Sequence, residues 1–265
     1  MKYLLFILYV YSASLFAVDN SINLLFCYED KELPPYFLGK GPATPPQEPG
    51  ATIEVLQQVV SEIPQLSLTF IRQPWKRCLN DLKHNKVDAI IASYQLKRET
   101  LGVYPKVNNQ IDSTRAISEH GTCFIRRSET EITWDGLSLS GISEPTIALP
   151  AGYSSLEQLE QLPLKVVQTD SANTAQRLLK EKRVDLALTL CQISETSPHL
   201  PQSEYPNLIH MFPPLVVKHG YLVFSYQFYE SQHQLAQTLW QKIGAFNTIP
   251  IFTRYLNPEF NDLKK

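Results

Sequence analysis

Eleven residues of this sequence have types suited to gripping a small polar solute: Glu29, Tyr36, Trp75, Ser93, Tyr94, Arg98, Gly152, Tyr153, Ser154, Ser155 and Asp170. Arginine offers a planar fork that matches a carboxylate in two-point fashion. Hydroxyls and the free N–H groups at helix starts suit carboxylates and other anions. Tyrosine and tryptophan supply flat apolar walls with a polar edge. No HExxH, GxSxG or SxxK motif accompanies them, and the six histidines are scattered. The set therefore reads as binding rather than catalysis, which would need a positioned acid or base. His120 and His219, near the two points where the chain crosses between lobes, are the histidines expected to face the cleft, and neither is given a role. Each member also has a plain structural job open to it: Ser154 and Ser171 as helix caps, Trp75 as core, Tyr36 as loop packing, Arg98 as a solvated side chain.

What makes the set more than a composition is where the elements place it. "INLLFCYE", "LSLTFIRQ" and "VDAIIAS" read as strands, and "ATIEVLQQVVSEI" as a helix with Ile53, Leu56, Val60 and Ile63 on one face. Pro74 stands in the first turn of the helix that follows the second strand. The pattern β-α-β-α-β predicts a parallel sheet flanked by helices. It then recurs: "TIALPAG", "LKVVQTD" and "VDLALTL" as strands, with "YSSLEQLEQ" and "SANTAQRLLKEKR" as helices. "NKVDAIIASY" and "KRVDLALTLC" end the two units alike, with Asp88 and Asp185, 97 positions apart, each at a helix-to-strand turn. Two lobes of like topology are expected. The extended "PPLVVKHGYLVFS" and the helix "SQHQLAQTLWQKIGAF", with Leu235, Leu239, Ile243 and Phe246 aligned, then carry the chain back to the first lobe. Crossings near 112–122 and 212–222 make a hinge with a cleft between the lobes. In open α/β sheets the site lies beyond the carboxyl ends of the strands, which is where the eleven residues fall.

Composition bounds the rest. The chain has 265 residues and a net charge of -2, with no Lys/Arg block, which argues against nucleic acid as a partner. The start, "MKYLLFILYVYSASLFAVDN", has one early lysine, an apolar run from Tyr3 to Val10 and Ala17 before a polar stretch. It predicts a signal peptide over 1–17 and a soluble exported chain. Four cysteines, Cys27, Cys78, Cys123 and Cys191, suit an oxidising compartment and permit three pairings. Cys78 also falls on the stripe Trp75, Cys78, Leu79, Leu82, so a buried thiol is equally open to it. The absence of CxxC argues against a zinc knuckle.

Taken together, "LPPYF" after the first strand, "PWKRCLNDLKHNKVDAIIASY", "QLKR", "PAGYSS", "RVDLALTL" and the returning helix resemble type 2 periplasmic solute-binding proteins. The likeness is to the group related to the amino-acid-binding components of ABC transporters, and it covers nearly the whole mature chain. It implies an α/β fold of two lobes: 18–115 and 217–265 in the first, 116–216 in the second. It implies a periplasmic monomer with no metal or cofactor that hands a small solute to an inner-membrane ABC permease. A ligand-sensing module for a membrane receptor and a dehydratase-like enzyme on the same scaffold are the other readings. By the same resemblance Ser93 and Arg98 hold an α-carboxylate, although the segment between them is two residues shorter than in relatives. Gly152, Ser154 and Ser155 also meet it, and Tyr36 walls the pocket. The fold further implies pairing within lobes, Cys27 with Cys78 and Cys123 with Cys191. Where relatives carry an aspartate for the ligand's ammonium group, this sequence has Leu190. Either Glu29 or Asp170 takes over, or the solute is not an ordinary α-amino acid.

Overall fold

The computed structural model describes residues 21–193 and 205–256; the expected signal peptide lies outside them. The first strand, β1 (Ile22–Glu29), shows how the sequence divides its apolar residues. Side chains alternate across a strand. Leu24, Phe26 and Tyr28 accordingly join one buried cluster, and Cys27 joins another on the opposite face of the sheet. The first cluster is closed by α1 (Ala51–Ser61), which buries Ile53, Leu56 and Val60. It is completed by α6 (His233–Ala245) and α7 (Ile249–Leu256), which follow the short α5 (Tyr226–Ser231). The other face is covered by α2 (Trp75–Lys83) through Cys78 and Leu82. Parallel neighbours β2 (Leu66–Gln73) and β3 (Ala89–Ser93) flank β1.

The second lobe repeats this logic. In β9 (Thr146–Pro150), Ile147 and Leu149 face one cluster and Ala148 the other. In β11 (Leu186–Gln192), Leu186 and Leu188 pair off against Ala187 in the same way. β10 (Lys165–Thr169) is the edge strand, and α4 (Ala172–Lys180) packs Ala175 and Leu179 on the face that carries Ala148 and Ala187. The helix expected from "YSSLEQLEQ" is only α3 (Leu156–Leu159), because the chain first completes a turn at Gly152, whose φ is 85°. Two hairpins decorate the lobes: β4 (Lys106–Val107) with β5 (Gln110–Ile111), and β7 (Thr133–Trp134) with β8 (Leu139–Ser140).

The lobes are joined through β6 (Ser118–Arg127) and the 17-residue β12 (Leu208–Phe224), giving the order β10-β9-β11-β6-β12-β3-β1-β2. The strand β12 runs antiparallel to β6 from Leu208 to Gly220, with a register break between Met211 and Val216. From Gly220 to Phe224 it pairs with β3. One strand thus belongs to both halves; β12 contains residues 212–222, while residues 112–122 enter β6 only from Ser118. Asp88 and Asp185 do the same structural job in each lobe. The Oδ2 of Asp88 accepts from the Leu25 N–H at 2.8 Å, and that of Asp185 from the Thr146 N–H at 2.8 Å. The disulfides are Cys27–Cys78 and Cys123–Cys191, one in each lobe.

Candidate functional site

A cavity of about 850 Å³, counting its open mouth, lies between the lobes at the carboxyl ends of β1, β3, β9 and β11. Eight of the eleven predicted residues line it: Glu29, Tyr36, Trp75, Ser93, Arg98, Tyr153, Ser154 and Ser155. The loop between β1 and α1 brings in Tyr36. Arg72, itself buried, anchors that loop by donating to the carbonyls of Glu29, Ala43 and Gly39 at 3.2, 3.0 and 2.6 Å, and lies over the Tyr28 ring. The Tyr36 hydroxyl then donates to the Glu119 carbonyl of β6 at 2.8 Å.

Arg98 sits on a single 3-10 turn, Leu96–Thr100, and is only 5% exposed. Its Nη1 donates to the Ser93 carbonyl at 2.9 Å and its Nη2 crosses to the Gly152 carbonyl at 2.6 Å. The guanidinium lies 6.0 Å from the Trp75 ring centroid, and the Trp75 Nε1–H also reaches the Gly152 carbonyl, at 3.4 Å. Among the described residues Arg98 has no carboxylate partner. Burial depresses its pKa, while Tyr104 opposes the shift. A buried cation without a counter-ion is costly.

Three predicted residues do not line the cavity. Tyr94 turns away, its hydroxyl donating to Glu99 Oε1 at 2.6 Å and its ring packing edge-on to Tyr104. Gly152 contributes its carbonyl to the contact between lobes. Its lack of a side chain matters there: a Cβ would stand 3.4 Å from both Trp75 and Leu79, on a backbone that L side chains rarely adopt. Asp170 is exposed at the start of α4, where its carboxyl is held low by Thr174 and then Ser171. Ser171 caps α4, its Oγ accepting from the Thr174 N–H at 3.1 Å.

Ser118, Thr122 and Thr52 enter the site unannounced, and His120, expected near the cleft without a role, lines it as well. Ser118, His120 and Thr122 are alternate positions of β6 that face the cavity, a period-two signal hidden in "SEHGT". Thr52, in the first turn of α1, lines it too, and its buried Oγ1 has no hydrogen-bond partner among the described residues. Leu190 is part of the wall. His120 Nε2 lies 3.4 Å from Ser93 Oγ, and burial, followed by Lys218, His219 and Arg98, lowers its pKa to about 4. It is therefore neutral near pH 7. His219, one residue out of phase with the cavity-facing Gly220, pairs with Glu119 at 3.3 Å.

The carboxylate that faces the cavity is Glu29, 4% exposed, whose Oε2 accepts from the Tyr153 hydroxyl of the other lobe at 3.0 Å. Burial raises its pKa to about 7 against the help of that hydrogen bond, with Asp30 and Asp170 adding to the rise. The folded protein thus binds this proton more tightly than the unfolded chain, so stability from Glu29 is present at low pH and is lost as pH climbs from about 4.5 to about 7. The full effect is at most about 3 kcal/mol. His120 works in the opposite sense, losing stability as pH falls through its own window, so the parent curve mixes the two. Glu29→Gln isolates the first. Measured without added solute, the variant is expected to melt several degrees above the parent at pH 8, the gap closing by pH 5. A gap that does not change with pH would remove Glu29 as the source.

Among the described residues, no group of three or more His, Cys, Asp or Glu side chains is arranged to hold a metal ion, and no helix is long and apolar enough to cross a membrane. No family model and no curated protein matches the sequence. The fold does match solved structures. One is the substrate-binding protein of an amino acid ABC transporter, at TM-score 0.67 and 12% identity over 90% of this chain and 99% of that one. Another is an arginine third transport system periplasmic binding protein from Legionella pneumophila, at 0.66 and 15% over 89% and 98%. The glutamate-bound GluR0 ligand-binding core from Nostoc punctiforme matches at 0.61 and 13% over 88% and 96%. The chain thus has the two-lobed fold of type 2 periplasmic binding proteins.

Proposed function

We propose that this protein is an extracytoplasmic solute-binding protein whose lobes close on a small polar solute bearing a carboxylate, an amino acid or a derivative, for ABC-type uptake. The observation that carries the reading is Arg98: a buried guanidinium on the wall of a cavity between lobes, without an acidic partner. A solute carboxylate supplies the missing counter-charge, and Ser93, Ser154, Ser155 and Thr52 supply hydrogen bonds around it. Closure follows from groups that reach across. Arg98 and Trp75 donate to the Gly152 carbonyl, and Gln95 Nε2 donates to the Ser154 carbonyl at 2.9 Å and to Glu157 Oε2 at 3.0 Å. A solute that touches both walls stabilises the arrangement in which these contacts form. Export to the periplasm and delivery to a permease are parts of this reading that the neighbours' fold supports by analogy.

A thermal-shift screen of the purified protein against amino acids, their deaminated analogues, small peptides and sugars tests it. A solute at 100 times its Kd adds about 2.7 kcal/mol of apparent stability, a rise of several degrees in a chain of this size. The reading expects such a rise with one or more carboxylates. Rises confined to sugars or other uncharged solutes would sink it.

A further inference from the structure

The two ends of the cavity carry opposite charge. At one end the Arg98 guanidinium lines the wall. Near it, outside the lining, the Lys218 ammonium donates to the Ser154 carbonyl at 2.9 Å and to Gln158 Oε1 at 3.0 Å, its pKa lowered by burial and then by Arg98 and Lys97. Glu157 offsets part of this charge, but its Oε2 is already taken by Gln95 at 3.0 Å. At the other end stands Glu29, with Asp30 and Asp170 adding negative charge and Lys31 offsetting part of it. Tyr153 measures the span. The carbonyl of its neighbour Gly152 accepts from Arg98 at 2.6 Å, while its own hydroxyl reaches Glu29 at 3.0 Å. The guanidinium and the carboxyl are thus linked through the Gly152–Tyr153 peptide and one tyrosine side chain with a hydrogen bond at each end. Among the described residues no ion pair joins them. The Glu29 Oε1 receives no protein donor among the described residues. The apolar side chains of Ile91, Phe37 and Leu190 complete the wall.

We propose that the solute is two-ended: a carboxylate at Arg98 and, at the far end of a short apolar chain, a cationic nitrogen at Glu29. It is an ω-amino or ω-guanidino carboxylate without an α-ammonium group. This rests on the reading of Arg98 as the carboxylate receptor. An α-ammonium lies next to its carboxylate, and there the cavity presents Arg98, neutral His120, serine hydroxyls and Leu190, with no acid. Such a group is left buried and unpaired, which is unfavourable. A distal nitrogen instead meets the free oxygen of Glu29, and the two charges end up paired at both ends.

Calorimetric titration of the purified protein at pH 8 with 5-aminopentanoate, 4-guanidinobutanoate, pentanoate, L-norvaline and L-lysine tests the assignment. The two distal cations are expected to bind at least about 10-fold more tightly than pentanoate, L-norvaline or L-lysine, the worth of one charge-assisted hydrogen bond. Glu29→Gln is expected to shrink the preference for 5-aminopentanoate over pentanoate to within about 3-fold. If pentanoate or L-norvaline matches 5-aminopentanoate, Arg98 still receives a carboxylate and only the two-ended assignment falls. L-Lysine equal to or tighter than 5-aminopentanoate also overturns it. Silence from the whole panel would overturn the carboxylate reading and this inference together.

Discussion

Replacing Arg98 with alanine is expected to weaken binding of the cognate carboxylate at least about 30-fold, because truncating one member of a buried, hydrogen-bonded charge pair costs about 2 kcal/mol or more. The fold should survive the change, since both carbonyls that Arg98 serves keep a second donor. The Ser93 carbonyl also accepts from the Tyr104 hydroxyl at 3.1 Å, and the Gly152 carbonyl from Trp75 at 3.4 Å. Removing a buried cation that has no acidic partner among the described residues also relieves a desolvation cost, against a small loss of packing. The melting temperature of the variant without solute should therefore stay within a few degrees of the parent. Arg98→Lys keeps the charge but not the fork, and should recover only part of the affinity. Calorimetry and thermal melts on the two variants decide the matter. Unchanged affinity in Arg98→Ala removes the residue from the site, and a collapsed melting curve makes it a structural residue.

Arg98 was legible because it follows a short apolar strand, and strand ends are where an open α/β sheet keeps its site. The same rule found Glu29, Ser93, Tyr153, Ser154 and Ser155, each within a few residues of the end of a buried apolar run bounded by a turn. The strand "LSLTFIRQ" coincides with β2 for the same reason: Pro64 and Pro74 bracket it. The rule misplaced two neighbours. Tyr94 comes one residue after Ser93, and alternation turns it to the other side. Asp170 is drawn to its own cap, where Ser171 and Thr174 hold it in solvent. Residues of the crossing strand were harder to see. Ser118 and Thr122 sit in a stretch whose polar character reads as a connection; His120 between them was expected to face the cleft, but only the sheet reveals that all three even-numbered positions do. The closing helix α7 was hidden as well, because Pro250 stands at its start in a short segment. It matters to the site at one remove. Tyr255 of α7 accepts from the Gly50 N–H at 3.3 Å and donates to Glu54 at 3.0 Å, which steadies the first turn of α1 behind Thr52.

Removing the Cys27–Cys78 bridge as the double alanine variant is expected to lower the melting temperature by roughly 10 °C. The bridge closes a separation of 51 residues, and the chain-entropy relation gives about 4 kcal/mol for a loop of that size. In a chain of this length each kcal/mol is worth about 2–4 °C. Both sulfurs are fully buried in the cluster between α2 and the sheet, so no solvated path compensates the loss. A second consequence follows from position. Cys27 stands two residues before Glu29, and Cys78 three residues after Trp75. The bridge therefore ties the strand end that carries the acid to the helix turn that carries the indole. Even well below its melting temperature, the variant should bind solute several-fold more weakly. The second bridge, Cys123–Cys191, closes a separation of 68 residues and adjoins Thr122 and Leu190, so its loss should cost a similar amount on the other side of the cleft. Thermal melts of both double variants, beside the parent with and without reductant, read these effects. A shift under about 2 °C for either pair would mean that its bridge does not constrain the chain in solution. A stability loss with unchanged affinity would confine that bridge's role to the fold.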